Sequence, residues 1–233
     1  MTDTVTEPVV LDADDGHRIN RRMRDLVDAG TREITVLNPR SRHNLGVGQH
    51  GPCTIRFAGS VGYYCGGLNN GAEIVIERSA GWGLGEAMSD GRIEVGGTCA
   101  LGTGASMRGG TIVVRGNCGP RTAANMKGGT LIVEGSVGYL AGFMTHRGDL
   151  IVCGDAGEAL GDSLWAGNIW VAGKIAGLGA DAKVVEPSDE DSARIHDLLR
   201  AEGIDATFDF KHVIAEQKLW YFNARDPEAW LRI

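Results

Sequence analysis

The stretch from residue 107 to residue 135 decides the fold. It reads MRGGTIVVRG at 107–116 and MKGGTLIVEG at 126–135, so one pattern returns after nineteen residues. The pattern continues in both directions without a change of register. One aliphatic column, taken in steps of nineteen, is Ile55, Ile74, Ile93, Ile112, Leu131, Leu150 and Ile169. The column two residues later is Phe57, Ile76, Val95, Val114, Val133, Val152 and Val171.

Two apolar columns two residues apart are typical of a strand with one buried face. One such strand cannot bury its face alone, but stacked copies share a continuous apolar interior. Nineteen residues are too few for a strand and a crossover helix, which together need about 30. The six-residue apolar period of a left-handed β-helix is absent from the sequence. We therefore predict an all-β solenoid over residues 53–183, a right-handed parallel β-helix of about seven coils.

The segments on either side of the repeats predict α-helical caps at both ends of the solenoid. Residues 1–52 contain a tail without regular structure up to residue 12, an amphipathic helix over 14–29 and a strand over 33–37. Residues 184–233 begin with a helix that Ser188 would cap, followed by an aromatic tail. An open β-helix leaves unpaired strand edges at its ends, which invite aggregation, so we expect both helices to cover them.

Composition excludes several classes of protein. The net charge of −7 offers no basic footprint for nucleic acid. No apolar run approaches the roughly 18 residues of a membrane span, and the acidic N-terminus lacks a signal-peptide pattern. The cysteines, Cys53, Cys65, Cys99, Cys118 and Cys153, are odd in number and form no C-x-x-C pair. We expect them to be small buried apolar residues of a cytoplasmic protein.

One column of the repeat predicts a covered outer surface. It lies between the two buried columns, so its side chains point out of the rod, and its last four members are apolar. These members are Val113, Ile132, Ile151 and Trp170. Stacked apolar side chains outside a rod indicate a cover. The cover is either the C-terminal segment of this chain or another protein.

Two further groups are candidate partner surfaces. Arg40, Arg42 and His43 stand in a polar loop, where they could bind an anion, face an acidic partner or face solvent. Trp220, Tyr221 and Phe222 belong to the aromatic tail, which we expect to dock on this rod or on a neighbour.

No motif for catalysis, cofactor binding or metal binding emerges from the sequence. The G-x-G triplets belong to the repeat, and they lack the third glycine of a dinucleotide fingerprint. The acidic residues Glu73, Glu94 and Glu134 are scattered over different repeats. A carbohydrate-cleaving β-helix enzyme, the alternative from a different class, would need acids clustered on one face.

The repeats at 107–116 and 126–135, with the approach LNPR at 37–40, resemble the GXGXG β-helix domain that closes the large subunit of glutamate synthase. The resemblance covers roughly residues 33–180. A similar domain occurs in formylmethanofuran dehydrogenase and in the related formyltransferase/hydrolase complex. A subunit of such an assembly is therefore a second possibility.

A GXGXG domain in a short chain of its own resembles the small β-helix subunit of N-methylglutamate synthase, in which glutamate synthase is divided among three polypeptides. The resemblance implies a non-catalytic structural subunit. It also implies two partners, a glutamine amidotransferase-like subunit and an FMN-binding subunit with an iron–sulfur cluster. Such a complex converts methylamine and L-glutamate to N-methyl-L-glutamate and ammonia.

Overall fold

The computed structural model describes residues 9–12, 16–205 and 207–216, which form one eleven-stranded sheet and two helices. The strands are β1 (Val9–Asp12), β2 (Glu33–Leu37), β3 (Thr54–Phe57), β4 (Asn70–Ile76), β5 (Asp90–Val95), β6 (Thr111–Val114), β7 (Lys127–Val133), β8 (Arg147–Val152), β9 (Asn168–Val171), β10 (Ala182–Val185) and β11 (Lys211–Ala215). The helices are α1 (Gly16–Asp28) and α2 (Asp189–Ala201).

Strands β3 to β9 carry the repeats, and each pairs in parallel with the next. Ile112 of β6 lies beside Ile93 of β5 and Leu131 of β7, so the nineteen-residue step of the sequence is the register of the sheet. A second ladder of single bridges joins the coils on another side of the rod, as between Cys99 and Cys118. The predicted solenoid is confirmed, with about seven turns. Its right hand remains a prediction from the crossover rule.

The interior of the solenoid is built from the predicted aliphatic columns. Their members are buried completely, with 0% of each residue exposed. A third buried column contains Met88, Met107 and Met126. All five cysteines are free and buried, as predicted. Burial raises the pKa of the Cys65 thiol well above its ordinary value, so this group stays protonated and inert.

Six successive coils, from residues 64–68 to residues 159–163, each turn a corner through three residues of left-handed backbone at alternate positions. In one coil these are Gly83, Gly85 and Ala87, with φ of 66°, 62° and 57°. The N–H of Gly83 donates to the carbonyl of Leu101 in the following coil, over 2.9 Å. The N–H of Gly85 donates to the carbonyl of Cys65 in the preceding coil, also over 2.9 Å. The alternation thus lets one corner bond to both of its neighbours, as buried backbone groups require.

The middle corner position is nearly always glycine because it touches the core. A Cβ added to Gly85 would lie 2.6 Å from Cδ1 of Ile112, and one added to Gly142 would lie 2.3 Å from Cδ1 of Ile169. Separations this short are not tolerated between carbon atoms. The glycine column therefore follows from the aliphatic column that it faces.

Helix α1 closes the N-terminal end of the interior, as predicted. Ile19, Met23 and Val27 join the main hydrophobic core. The buried amide of Asn20 fixes the helix to the following loop: Oδ1 accepts from the Gly46 N–H at 2.8 Å, and Nδ2 donates to the Asn44 carbonyl at 2.6 Å.

The prediction of an unstructured tail is wrong for residues 9–12. They form β1, which pairs in parallel with β2 so that Val9 lies beside Ile34. The run Val9-Val10-Leu11 contains two β-branched residues, which favour a strand where an unpaired sheet edge is available.

The prediction that α2 caps the C-terminal end is also wrong. The end is occupied by β11, which pairs antiparallel with β9, and by β10, which pairs antiparallel with β11. Helix α2 lies along the outside of the rod instead. Its apolar face packs on the apolar column between the two buried ones, which removes both apolar surfaces from water.

Neither of the two described helices is long and apolar enough to cross a membrane.

The corner geometry predicts different costs for two glycine substitutions. Gly85→Ala should lower the free energy of unfolding by about 2–4 kcal/mol, because left-handed strain adds to a core clash. Gly102→Ala is the matched control, since its φ is 74° but its Cβ would meet nothing closer than 3.9 Å. It should cost about 1 kcal/mol or less. Urea denaturation of both variants measures the difference, and equal losses would contradict the role of the core contact.

Candidate partner surfaces

The outer apolar column is covered by this chain itself. The column residues are Val113, Ile132, Ile151 and Trp170, with exposed fractions of 0, 1, 0 and 0%. Ile195 and Leu199 of α2 pack on them, and Ile204, Phe208 and Phe210 extend the same cluster. Of the two alternatives, cover by the C-terminal segment is confirmed. The four residues are consequently not a surface that a partner can reach, and their assignment as a partner interface is wrong.

The cover is fastened at one end around Trp170. The indole N–H of Trp170 donates to Oδ1 of Asp149 at 2.9 Å. Both terminal nitrogens of Arg194 in α2 donate to the same carboxylate, each over 2.9 Å. The His212 ring stacks on the Trp170 indole with centroids 3.7 Å apart. Asp149 therefore ties the solenoid to α2 with two hydrogen bonds and holds the Trp170 indole with a third.

The other end of the cover is fastened by two arginines of the solenoid. Nη2 of Arg92 lies 2.7 Å from Oε2 of Glu202, the C-cap residue directly after α2. Nη2 of Arg115 donates to the carbonyl of Glu202 at 3.1 Å. Charge-assisted bonds of this kind are shorter and stronger than neutral ones.

The acids that the sequence placed far apart are gathered around the same arginines. Arg92 lies 2.7 Å from Glu94 and 3.5 Å from Glu73. Arg115 lies 2.9 Å from Glu94 and 2.6 Å from Glu134. Acidic and basic side chains thus alternate along the outer face of β4 to β7. The expectation of scattered acids is wrong, because residues about nineteen apart in sequence are neighbours in this fold.

The geometry of this charged cluster suits the attachment of α2 to the solenoid rather than acid catalysis. Burial alone would raise the pKa of Glu94, but hydrogen bonds from Arg92 and Arg115 outweigh it and hold that pKa below its ordinary value. A general acid needs a carboxyl group whose pKa is raised. The cluster therefore favours a structural clamp over a carbohydrate-cleaving pair. Among the described residues, no group of three or more His, Cys, Asp or Glu side chains could hold a metal ion.

The loop before the first coil is tightly folded and keeps its arginines on the surface. Arg40 has a left-handed φ of 45° and is exposed. Arg42 donates from Nη1 to the carbonyl of Asn38 at 3.1 Å. Neither arginine forms an ion pair with any other described residue. Their role in a partner surface stays a prediction.

His43 does not lie with the two arginines but belongs to an aromatic stack. Its Nδ1 accepts the backbone N–H of Tyr63 at 2.9 Å, and its ring stacks on the Tyr63 ring with centroids 4.3 Å apart. The Tyr63 ring stacks in turn on Trp82 with centroids 5.0 Å apart. The loop is thus joined to the solenoid by ring contacts.

The stack begins a second outer apolar column that sequence reasoning missed. We name it the exposed apolar column; its members are Tyr63, Trp82, Leu101, Pro120 and Tyr139. Tyr63, Trp82, Leu101 and Tyr139 are 44, 52, 36 and 56% exposed, and Pro120 is exposed as well. The signal was available, because the members are nineteen residues apart. The column lies outside the strands, in the corner segments, where the alternation of buried and outward side chains does not apply.

Trp220, Tyr221 and Phe222 lie outside the described residues, so the proposed docking of the aromatic tail stays a prediction.

Comparison with known proteins gives one partial match. No protein-family model matches the chain. Over 76 residues, the chain is 38% identical to Protein GlxC of Rhizobium meliloti (strain 1021). The matched segment is 32% of this chain and spans 33% of the length of GlxC.

The covered column predicts that α2 depends on a few apolar contacts. Leu199→Ala should lower the free energy of unfolding by about 2–4 kcal/mol, because a fully buried leucine leaves a cavity. Amide hydrogen exchange in α2 should speed up more than in β5 to β7. Leu68→Ala, at a residue 52% exposed, is the control and should change stability by less than about 0.5 kcal/mol. Unchanged exchange in α2 would show that Leu199 does not hold the cover.

The environment of His212 predicts a loss of stability on mild acidification. Burial holds the pKa of His212 below its ordinary 6.5, against the opposing charges of Asp191 and Asp149. As the pH falls through 6.5, the unfolded chain takes up a proton before the folded one does, so the free energy of unfolding decreases. His212→Gln should reduce this slope. Urea denaturation near pH 7.5 and near pH 5.5 measures it, and an unaltered slope would refute the assignment.

Proposed function

We propose that this chain is a non-catalytic structural subunit of a glutamate-synthase-like, FMN-dependent complex, and that the complex is N-methylglutamate synthase. The observation that carries the proposal is the seven-turn solenoid built on the repeat MRGGTIVVRG, which resembles the GXGXG domain. The broader part, a chain related to glutamate synthase, is supported by the partial match to Protein GlxC, a glutamate-synthase-related protein.

The physical basis of a structural role is stiffness. Consecutive coils are joined on at least two sides of the rod by backbone ladders, and at the corners by hydrogen bonds that run to both neighbours. Seven coils at a strand spacing of about 4.8 Å make a rod about 30 Å long. A subunit of this kind holds two others at a set separation without taking part in the chemistry.

In the proposed complex the chemistry belongs to the partners. A glutamine amidotransferase-like subunit and an FMN-binding subunit with an iron–sulfur cluster would bind along the rod. The complex would convert methylamine and L-glutamate to N-methyl-L-glutamate and ammonia. The charged cluster around Arg92 and Arg115 supports a non-catalytic role for this chain, because its carboxylates are neutralised by guanidinium groups.

The proposal is tested by purifying the affinity-tagged chain from its native cells. We expect co-purification with an amidotransferase-like chain and a coloured chain whose absorption spectrum shows flavin and an iron–sulfur cluster. The preparation should form N-methylglutamate from methylamine and glutamate. A colourless chain without partners would overturn the proposal. A flavin-containing preparation that leaves methylamine unchanged would show that methylamine is not the substrate. It would remain consistent with a complex related to glutamate synthase.

A further inference from the structure

In the part of the chain that the structure describes, no segment covers the exposed apolar column as α2 covers the other outer column. Both columns repeat every nineteen residues and both point away from the interior. The column that ends at Trp170 is 0–1% exposed because α2 lies on it. In the exposed apolar column, Trp82 and Tyr139 are more than half exposed in the described part of the chain. Exposed positions of a rod favour polar residues, so five successive apolar side chains indicate an interaction surface.

The size of the column fits one element of a partner. From Tyr63 to Tyr139 it crosses four coil steps, or about 19 Å at a strand spacing of about 4.8 Å. Helix α2, which covers the other column, has 13 residues and a length of about 20 Å. A single helix or extended segment of comparable length would therefore cover the exposed apolar column.

The charges around the column indicate what that segment carries. Arg40 and Arg42 lie in the loop that contains His43, the residue stacked on the first member of the column. Arg121 is exposed immediately after Pro120. None of these arginines has an ion-pair partner among the described residues. A segment with carboxylates facing these arginines would complement this surface.

A second copy of this chain fits the same surface poorly. The next position of the column, Glu158, is the one carboxylate that the column itself would offer to Arg40, Arg42 and Arg121 of another copy. Repulsion between the remaining arginines would oppose such a pair. The charges thus favour a different protein.

We propose that the exposed apolar column is the binding site for an apolar, carboxylate-bearing segment of another subunit. That segment lies along five coils and directs its acidic side chains toward Arg40 and Arg42. The inference rests on the proposed role of this chain as a structural subunit. The rings of Tyr63 and Trp82 supply the apolar contact, and Arg40 and Arg42 supply the charged contacts beside the first member of the column.

Site-specific photo-cross-linking in the native cells tests this inference. A benzoylphenylalanine replaces Trp82 in the full chain, and a second variant carries it at Leu68, which is equally exposed at 52% but lies outside the column. We expect a product from position 82 that position 68 does not give. Peptide mapping should place the cross-link in an apolar, Asp- or Glu-bearing segment of another chain. The double variant Arg40→Glu and Arg42→Glu should lower the yield about fivefold or more.

Three results would overturn the inference: no product from position 82 above the Leu68 control, a cross-link to another copy of this chain, or a cross-link to residues 217–233. The absorption spectrum of the tagged wild-type preparation separates this inference from the proposed function. A flavin-containing complex without the cross-link would support the proposed function and contradict the proposed binding site. The expected cross-link in a preparation without flavin would support the proposed binding site and contradict the proposed function.

Discussion

The constant nineteen-residue step between strands β3 to β9 is the constraint on which the rest of the structure depends. Each corner donates one N–H to the following coil and another to the preceding coil, as Gly83 and Gly85 do. A coil one residue longer would misalign both sets of hydrogen bonds. It would also point the buried side chains of the next strand toward solvent. The aliphatic columns, the buried methionines and the glycines at the corners are all consequences of that fixed register.

The same register organises the outside of the rod. Side chains that are nineteen residues apart stack on each other. An apolar residue at the same position of each coil therefore produces a continuous apolar stripe along the rod. Helix α2 covers one such stripe, and two ionic contacts set its position: Arg92 binds the C-cap residue Glu202, and Asp149 binds Arg194 in the second turn. Apolar burial provides the larger share of this stabilisation, because partly exposed ion pairs contribute little.

Much of the architecture was predictable from the period alone, because a strand column and a glycine column recur without a slip. The path of α2 was not. Its apolar face was evident from Ile195 and Leu199, but a sequence does not say whether such a face meets the end of a rod or its side. The cluster around Arg92 and Arg115 was missed for a related reason. Its members occupy different columns of adjacent coils, so only the register of the sheet brings them together.

The reversal of strand direction at β11 gives the two ends of the rod different properties. A stack of identical coils has no inherent length, since each new coil presents the edge that the next one needs. Strand β11 pairs antiparallel with β9 and so occupies the edge of the last coil, and β10 pairs antiparallel with β11, which leaves β10 as the outermost strand with the same direction as the coils. Strand β1 at the opposite end keeps the parallel direction of the coils. The edge that remains, β10, is only four residues long and carries the exposed Lys183, and short, charged edge strands of this kind protect the end of a sheet against association into fibres.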